Sequence, residues 1–350
     1  MSYNVFHFFL GSNSPRGFYS KMSHLAQKFN CNVIKGCSGC GKSTLMRKIF
    51  DKAKNVTDVE LIHCSSDPDS LDAIILKDKN VCFVDGTSPH ILEPNLPGIF
   101  GDIVNLCKFK NSLNSTKYKR EIIKLDNEYK KIQFRAQKYL MSFGAVFSDT
   151  LESVIEKINF DKIEKLAVNL EKKIFTKKLS KTPNKQVRFL RSVGPKGVVS
   201  FLDDLSNFYK IYEINDNFFI ITDILLNHIK KVSLKNGYDT IICLSPLTLN
   251  ERIEALIIPE LKISFVLTDR FYDKMTKIKT KKIDISGCYD CNIKESKYNS
   301  KVEMSLVQES IKCMKSAKKI HDKIEIFYKN IIDFDAINDI SNRIIEKIFI

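Results

Sequence analysis

Residues 36–43 read Gly36-Cys37-Ser38-Gly39-Cys40-Gly41-Lys42-Ser43, the spacing G-x-x-x-x-G-K-S. Each fixed position answers a demand of polyphosphate chemistry. Glycines open backbone conformations closed to other residues and let N–H groups approach phosphate oxygens. Lys42 supplies a point charge for the β- and γ-phosphates, and the Ser43 hydroxyl is the kind of group that ligates Mg²⁺. The flanks suit that chemistry. Cys31-Asn32-Val33-Ile34 is a short apolar run that predicts a strand, and Thr44 to Phe50 carries apolar residues at helical spacing. A helix starting there adds its dipole to an anion site. The expectation is ATP held on residues 36–44, with Mg²⁺.

Asp85 ends the apolar run Val81-Cys82-Phe83-Val84 and is the candidate Walker B aspartate, expected to share Mg²⁺ with Ser43. Gly86 follows it, so the glutamate that activates water beside this aspartate in many ATPases is missing. Two further polar clusters follow predicted strands, where open α/β sheets place ligands: His63 to Ser70 and Thr87 to His90. In the first, Asp67 and Asp69 are either part of a helix N-cap or carboxylates that position water or line a substrate pocket. Lys42, Asp85, Asp67 and Asp69 are therefore the candidate catalytic residues. His90 is read as a surface residue with γ-phosphate sensing as its sharper alternative. Arg16, near the end of the first predicted strand, is placed to reach phosphate.

Positioning these groups requires a fold, and the chain states its plan twice. His7-Phe8-Phe9-Leu10-Gly11-Ser12-Asn13-Ser14-Pro15-Arg16-Gly17 recurs 180 residues on as Val187-Arg188-Phe189-Leu190-Arg191-Ser192-Val193-Gly194-Pro195-Lys196-Gly197. Val81-Cys82-Phe83-Val84 matches Ile263-Ser264-Phe265-Val266 at 182, and Asn159-Phe160-Asp161 matches Asp333-Phe334-Asp335 at 174. Order and spacing survive across the length, so two copies of one domain are expected, over 1–178 and 184–350, joined by a polar linker containing Pro183. Each copy is expected to be a three-layer α/β/α unit with a mainly parallel sheet and a helical tail. In the first copy the predicted strands are Val5 to Leu10, the run before the loop, Val59 to Cys64 and Asn80 to Asp85. Predicted helices cover Phe18 to Phe29, the segment after the loop, Leu71 to Leu76, Tyr118 to Ala145 and Ser148 to Phe175. The tail is expected to pack as an antiparallel hairpin on a sheet or on the other copy.

The second copy keeps the apolar framework and loses the chemistry. At the same offsets Gly36 becomes Asp216, Gly41 becomes Ile221, Lys42 becomes Thr222, Ser43 becomes Asp223 and Asp85 becomes Leu267. An aspartate where phosphate should sit repels it, so the second copy is expected to be a pseudo-NTPase domain. Arg16 keeps its charge there as Lys196, which argues for a structural or intercopy role.

Composition narrows the rest. The 350 residues carry 56 Lys and Arg against 41 Asp and Glu, a net charge of +15. The basic stretches at Lys117 to Arg120, Lys177 to Lys185 and Lys274 to Lys282 are mostly lysine mixed with acids, which reads as solvated surface, with nucleic acid or an acidic protein as the alternative partner. No apolar run approaches the ~20 residues of a membrane helix, no basic segment precedes the apolar start, and ten scattered cysteines suit a reducing compartment. A cytoplasmic protein without a membrane partner is expected. Cys37/Cys40 and Cys288/Cys291 share C-x-x-C spacing, but zinc on the first pair would abolish phosphate binding.

The segments IHCSSDPDSLDAI (Ile62 to Ile74) and VDGTSPH (Val84 to His90), with the loop between strand and helix, resemble a family of uncharacterised bacterial ATPases with two tandem P-loop domains. The resemblance covers nearly the whole chain and implies a P-loop NTPase fold with ATP at Gly36 to Thr44. It names no substrate, and the second domain of that family usually looks competent, unlike the one here. The expected activity is Mg²⁺-dependent ATP hydrolysis at one site. A cation from the second copy or another subunit would add ~10³–10⁵ in rate. A small-molecule kinase using the same loop, and a nucleotide-gated binding module with negligible turnover, are the alternatives. No guanine-reading N-K-x-D segment occurs in the first copy.

Overall fold

A computed structural model describes residues 3–110, 117–271, 278–290 and 297–349. The first half builds one sheet from β1 (Val5–Phe9), β4 (Asn30–Lys35), β5 (Val59–His63), β6 (Leu71–Leu76), β7 (Val81–Asp85) and β8 (Ile103–Asn105). Their order across the sheet is β1-β5-β6-β7-β4-β8, and β6 alone runs against the other five. A separate hairpin joins β2 (Gly11–Ser14) to β3 (Gly17–Ser20). The helices are α1 (Ser23–Lys28), α2 (Lys42–Ala53), and the tail helices α3 (Lys119–Ile155) and α4 (Phe160–Ile174).

The second half repeats this element for element. Its strands are β9 (Lys185–Arg188), the hairpin β10 (Arg191–Gly194) and β11 (Gly197–Ser200), β12 (Lys210–Asn215), β13 (Thr240–Leu244), β14 (Ile253–Ile258), β15 (Ile263–Thr268) and β16 (Thr280–Ile283). The sheet order β9-β13-β14-β15-β12-β16 matches the first, with β14 as the one reversed strand. Helices α5 (Leu202–Leu205), α6 (Ile220–Lys235), α7 (Lys297–Lys329) and α8 (Phe334–Phe349) take the places of α1 to α4. Two six-stranded, mostly parallel sheets with helical tails are thus a tandem α/β architecture. Among the described residues no helix is long and apolar enough to cross a membrane.

Three expectations are corrected. Leu71–Leu76 is a strand, not a helix: all six of its residues are buried between neighbouring strands, so the apolar run shows no alternation. The segment from Phe18 begins as β3, because Gly17 turns the chain back at φ +104°, and the helix is shortened to α1. The two tail helices predicted on either side of residue 146 begin differently: α3 runs unbroken through Gly144 to Ile155. Gly144 is there for space, since a Cβ would come 2.6 Å from Pro15 Cβ. Strands β8 and β16 were not foreseen. Residues up to 277 of the basic stretch beginning at Lys274 lie outside the described residues, as does Cys291.

The halves meet about a pseudo-twofold axis on which equivalent residues touch each other. Phe9 N donates to Phe189 O at 2.9 Å and Phe189 N to Phe9 O at 2.8 Å. The hydroxyls of Ser12 and Ser192 lie 3.1 Å apart. Nearby, Arg188 Nε donates to Glu60 Oε2 at 2.9 Å in a buried ion pair between the copies. The long helices α3 and α7 run antiparallel: Ser310 Oγ donates to Ala136 O at 2.8 Å, and Thr150 Oγ1 to Glu303 Oε1 at 2.7 Å. Each tail then crosses to the other sheet. Ile163 and Ala167 of α4 bury against Leu225 and Ile229 of α6, and Ile337 of α8 joins Leu45, Met46 and Ile49 of α2. The segment of each copy that follows its sheet therefore covers the opposite loop-and-helix unit.

Candidate functional site

Strand β4 ends at Lys35 and α2 begins at Lys42, so residues 36–41 form the turn between them. The turn needs its glycines. Gly39 and Gly41 are left-handed, with φ +70° and +91°, and a Cβ on Gly36 would come 2.3 Å from Cys40 Sγ. Lys42 folds back across the turn, its Nζ donating to Gly36 O at 3.1 Å and Cys37 O at 2.9 Å. Strand β7 pairs with β4 and aligns Asp85 with Ile34, which brings Asp85 Oδ2 to 3.5 Å from Lys42 Nζ. Asp85 Oδ1 accepts from Thr87 N at 2.9 Å and Thr87 Oγ1 at 2.5 Å. Ser43 Oγ accepts from Leu71 N at 2.9 Å.

These groups border a cavity of about 590 Å³, on which Gly36, Ser38 to Thr44, Asp67 and Asp85 all open. Cys37 is half-buried and does not open on it, and its thiol is shifted down by a hydrogen bond with the Cys40 thiol, which is shifted up in turn. Among the described residues no group of three or more metal-binding side chains is assembled. Asp67 accepts from Ser70 Oγ at 3.2 Å and lies 3.4 Å from Lys318 Nζ. Asp69 is not at the cavity: it is exposed and pairs with Lys196 of the second copy at 2.5 Å. Arg16 is exposed too, its guanidinium 4.2 Å above the Tyr19 ring. Lys196 thus has an intercopy role, while neither cation reaches the loop.

His90 is not a surface residue. It is buried beside Gly11, where a Cβ would come 3.0 Å from its Cε1, and its Nε2 lies 3.1 Å from Asp72 Oδ2. Burial favours the neutral ring, but the Asp72 carboxylate outweighs it and raises the pKa. Both residues line the cavity. Asp72 was missed because it falls inside the run read as a helix. Also missed were Tyr129 and Gln133 of α3 and Lys318, His321, Glu325 and Lys329 of α7. Ser38 Oγ donates to Glu325 Oε1 at 3.2 Å and lies 2.9 Å from His321 Nε2. No local pattern connects positions nearly 300 residues apart; the one available signal was a tail helix with charged residues at one-turn spacing.

The second copy shows what the same backbone does without this chemistry. Phe219 keeps the left-handed conformation of Gly39, with φ +62°. Asp216, in place of Gly36, is buried and turned into the loop: Oδ1 accepts from Phe218 N at 3.0 Å, and Oδ2 from Thr222 N at 2.9 Å and Thr222 Oγ1 at 3.0 Å. The N-terminus of α6 thus holds a carboxylate of its own chain. Asp223 does there what Ser43 does in the first copy, its Oδ1 accepting from Ile253 N at 2.8 Å. No protein-family model, curated protein or solved structure matches the chain.

Proposed function

We propose that the chain is a P-loop protein that binds ATP with Mg²⁺ and hydrolyses it at one site, in the first copy, with the second copy as a pseudo-NTPase partner. The contrast between the two loops carries this reading. One curls round a lysine and faces a cavity; the other is closed on its own aspartate. Gly39 to Ser43 would cradle the β- and γ-phosphates with backbone N–H groups at the start of α2. Lys42 is held pointing across the turn by two carbonyl oxygens, so its charge is positioned before a ligand arrives.

Ser43 and Asp85 offer one hydroxyl and one carboxylate, the hard oxygen donors that suit Mg²⁺, which takes its remaining ligands from water and phosphate. When bound, the ion would neutralise charge on the phosphate oxygens. Asp85 keeps Oδ2 toward Lys42 while Thr87 fixes Oδ1, so the carboxylate is oriented by the protein. Titration of the full chain with Mg·ATP should give one site per molecule, and Lys42→Ala should abolish hydrolysis and weaken binding at least tenfold. Two sites, or an unchanged Lys42→Ala rate, would overturn the reading.

The cavity also favours a second reading, transfer of the γ-phosphoryl group to a small hydroxyl compound. Beyond the loop its wall is lined by Ser65, Ser66, Asp72, Ser88, His90 and Gln133, a set able to bind a polyol. ADP release raised above the water background by one member of a sugar and polyol panel would favour a kinase; a flat response across the panel would favour hydrolysis.

A further inference from the structure

The pseudo-twofold arrangement gives each loop a facing helix from the other copy, so the two interfaces can be compared position by position. The offset of 174 that takes Asn159 to Asp333 also takes Ala136, Leu140 and Phe143 of α3 to Ser310, Met314 and Ala317 of α7, all buried. At that offset Gly144, Phe147 and Leu151 of α3 become Lys318, His321 and Glu325 of α7. The change tracks the loop each helix faces. Phe147 packs edge-on against Phe219 of the closed loop, ring centroids 5.7 Å apart. A Cβ on Gly144 would lie 3.3 Å from Leu249, the counterpart of Asp67. Opposite the open loop, Lys318 stands against Asp67, and His321 and Glu325 stand against Ser38. The face that α3 turns to the closed loop is apolar, with the Arg270 guanidinium 6.0 Å from the Phe147 ring, and the face that α7 turns to the open loop is charged.

We infer that α7 completes the first copy's polyphosphate site, with Lys318 as a phosphate-binding cation presented from the wall opposite the loop. This rests on the reading of residues 36–44 as that site. Lys318 occupies a position where the other interface has no side chain at all, so nothing in the helix packing requires it. Its ammonium is shared between Asp67 at 3.4 Å and Asp322 one turn along the helix, and its side chain is 26% exposed, toward the cavity. A phosphate oxygen entering the cavity competes with Asp67 for that ammonium and can take it with little movement of the helix. A charge-assisted bond from a half-buried lysine is stronger than a neutral one, and the triphosphate end gains it while the nucleoside does not.

The test is calorimetric titration of the full-length chain and its Lys318→Ala, Lys318→Arg and Lys323→Ala variants with Mg·ATP and with AMP. Lys323 is an exposed lysine on the same helix, away from the cavity. Lys318→Ala should bind Mg·ATP about 10- to 100-fold more weakly, the usual worth of a charged hydrogen bond, with AMP affinity little changed. Lys318→Arg should recover most of the loss and Lys323→Ala should match the wild type. Unchanged Mg·ATP affinity in Lys318→Ala, equal losses for ATP and AMP, or an equal loss in Lys323→Ala would each overturn the assignment. A wild-type chain that binds no triphosphate would overturn the loop reading and this one with it. Wild-type binding that Lys42→Ala removes and Lys318→Ala leaves intact would overturn this one alone.

Discussion

Ser43 and Asp223 accept the same backbone hydrogen bond, from Leu71 N and Ile253 N, although one residue is a hydroxyl and the other a carboxylate. The bond belongs to the fold, since it fastens the start of the reversed strand to the helix after the loop in both copies. The chemistry at that position is separable from it. Ser43→Asp should keep the bond, changing stability by no more than about 1 kcal/mol, the net worth of one such bond. The added negative charge should abolish Mg·ATP binding. Urea unfolding and titration of the same preparation check both halves; a variant that unfolds far more easily would show that the two loops are not interchangeable scaffolds. At this scale the sequence was a good guide to which residues come together, as Lys42, Ser43 and Asp85 do at one cavity. It was poor where a role depends on what folds over the residue. Asp67 and Asp69, two residues apart, read alike, yet one faces the cavity and the other solvent.

Each helix after a loop must satisfy the N–H groups of its first turn. Helix α6 does so internally, with Asp216 taking the N–H of Thr222 while also holding that of Phe218. Removing the carboxylate by Asp216→Ala leaves those donors buried and should cost about 1–3 kcal/mol, read as a lower midpoint in chemical denaturation. The stoichiometry of Mg·ATP binding should stay at one, because Thr222 and Ile221 still stand where Lys42 and Gly41 would be needed. A second site appearing in this variant would mean that the aspartate alone keeps the loop closed. Which elements were legible follows from their environment. The half-buried α2 shows its apolar face at Leu45, Met46 and Ile49, and was readable. Strand β6, buried along its whole length, gives a run that is apolar apart from Asp72 and that helix and strand share. The break expected after Ala145 does not occur, and Gly144, inside the unbroken α3, lacks a side chain where Pro15 packs against it.

Across the whole molecule the copies are tied by a buried ion pair. Burial alone would push the Glu60 carboxyl up, but Arg188 and Lys77 outweigh it and hold the pKa at about 2. Because the folded value lies below the ordinary carboxylate value, the contribution is complete above pH ~4.5 and is lost as pH falls toward 2, amounting to about 3 kcal/mol. Glu60→Gln should cost about 3–5 kcal/mol at neutral pH by leaving Arg188 buried without a counter-charge, and should flatten the loss of stability in that acid range. An unchanged acid-unfolding profile would count against the pair as a tie between the copies. The duplication itself was legible from repeated strings of residues, but the crossing of the tails was not, because a repeat says nothing about which sheet its last helices cover. The reciprocal bonds of Phe9 and Phe189 show what that crossing means. Contacts of a residue with its own equivalent are the mark of an isologous homodimer, in which every substitution is made twice and both sites change together. Fusion of two such subunits into one polypeptide lifts that obligation: one subunit can give up its ligand, and its residues are then free to be reshaped around the ligand of the other.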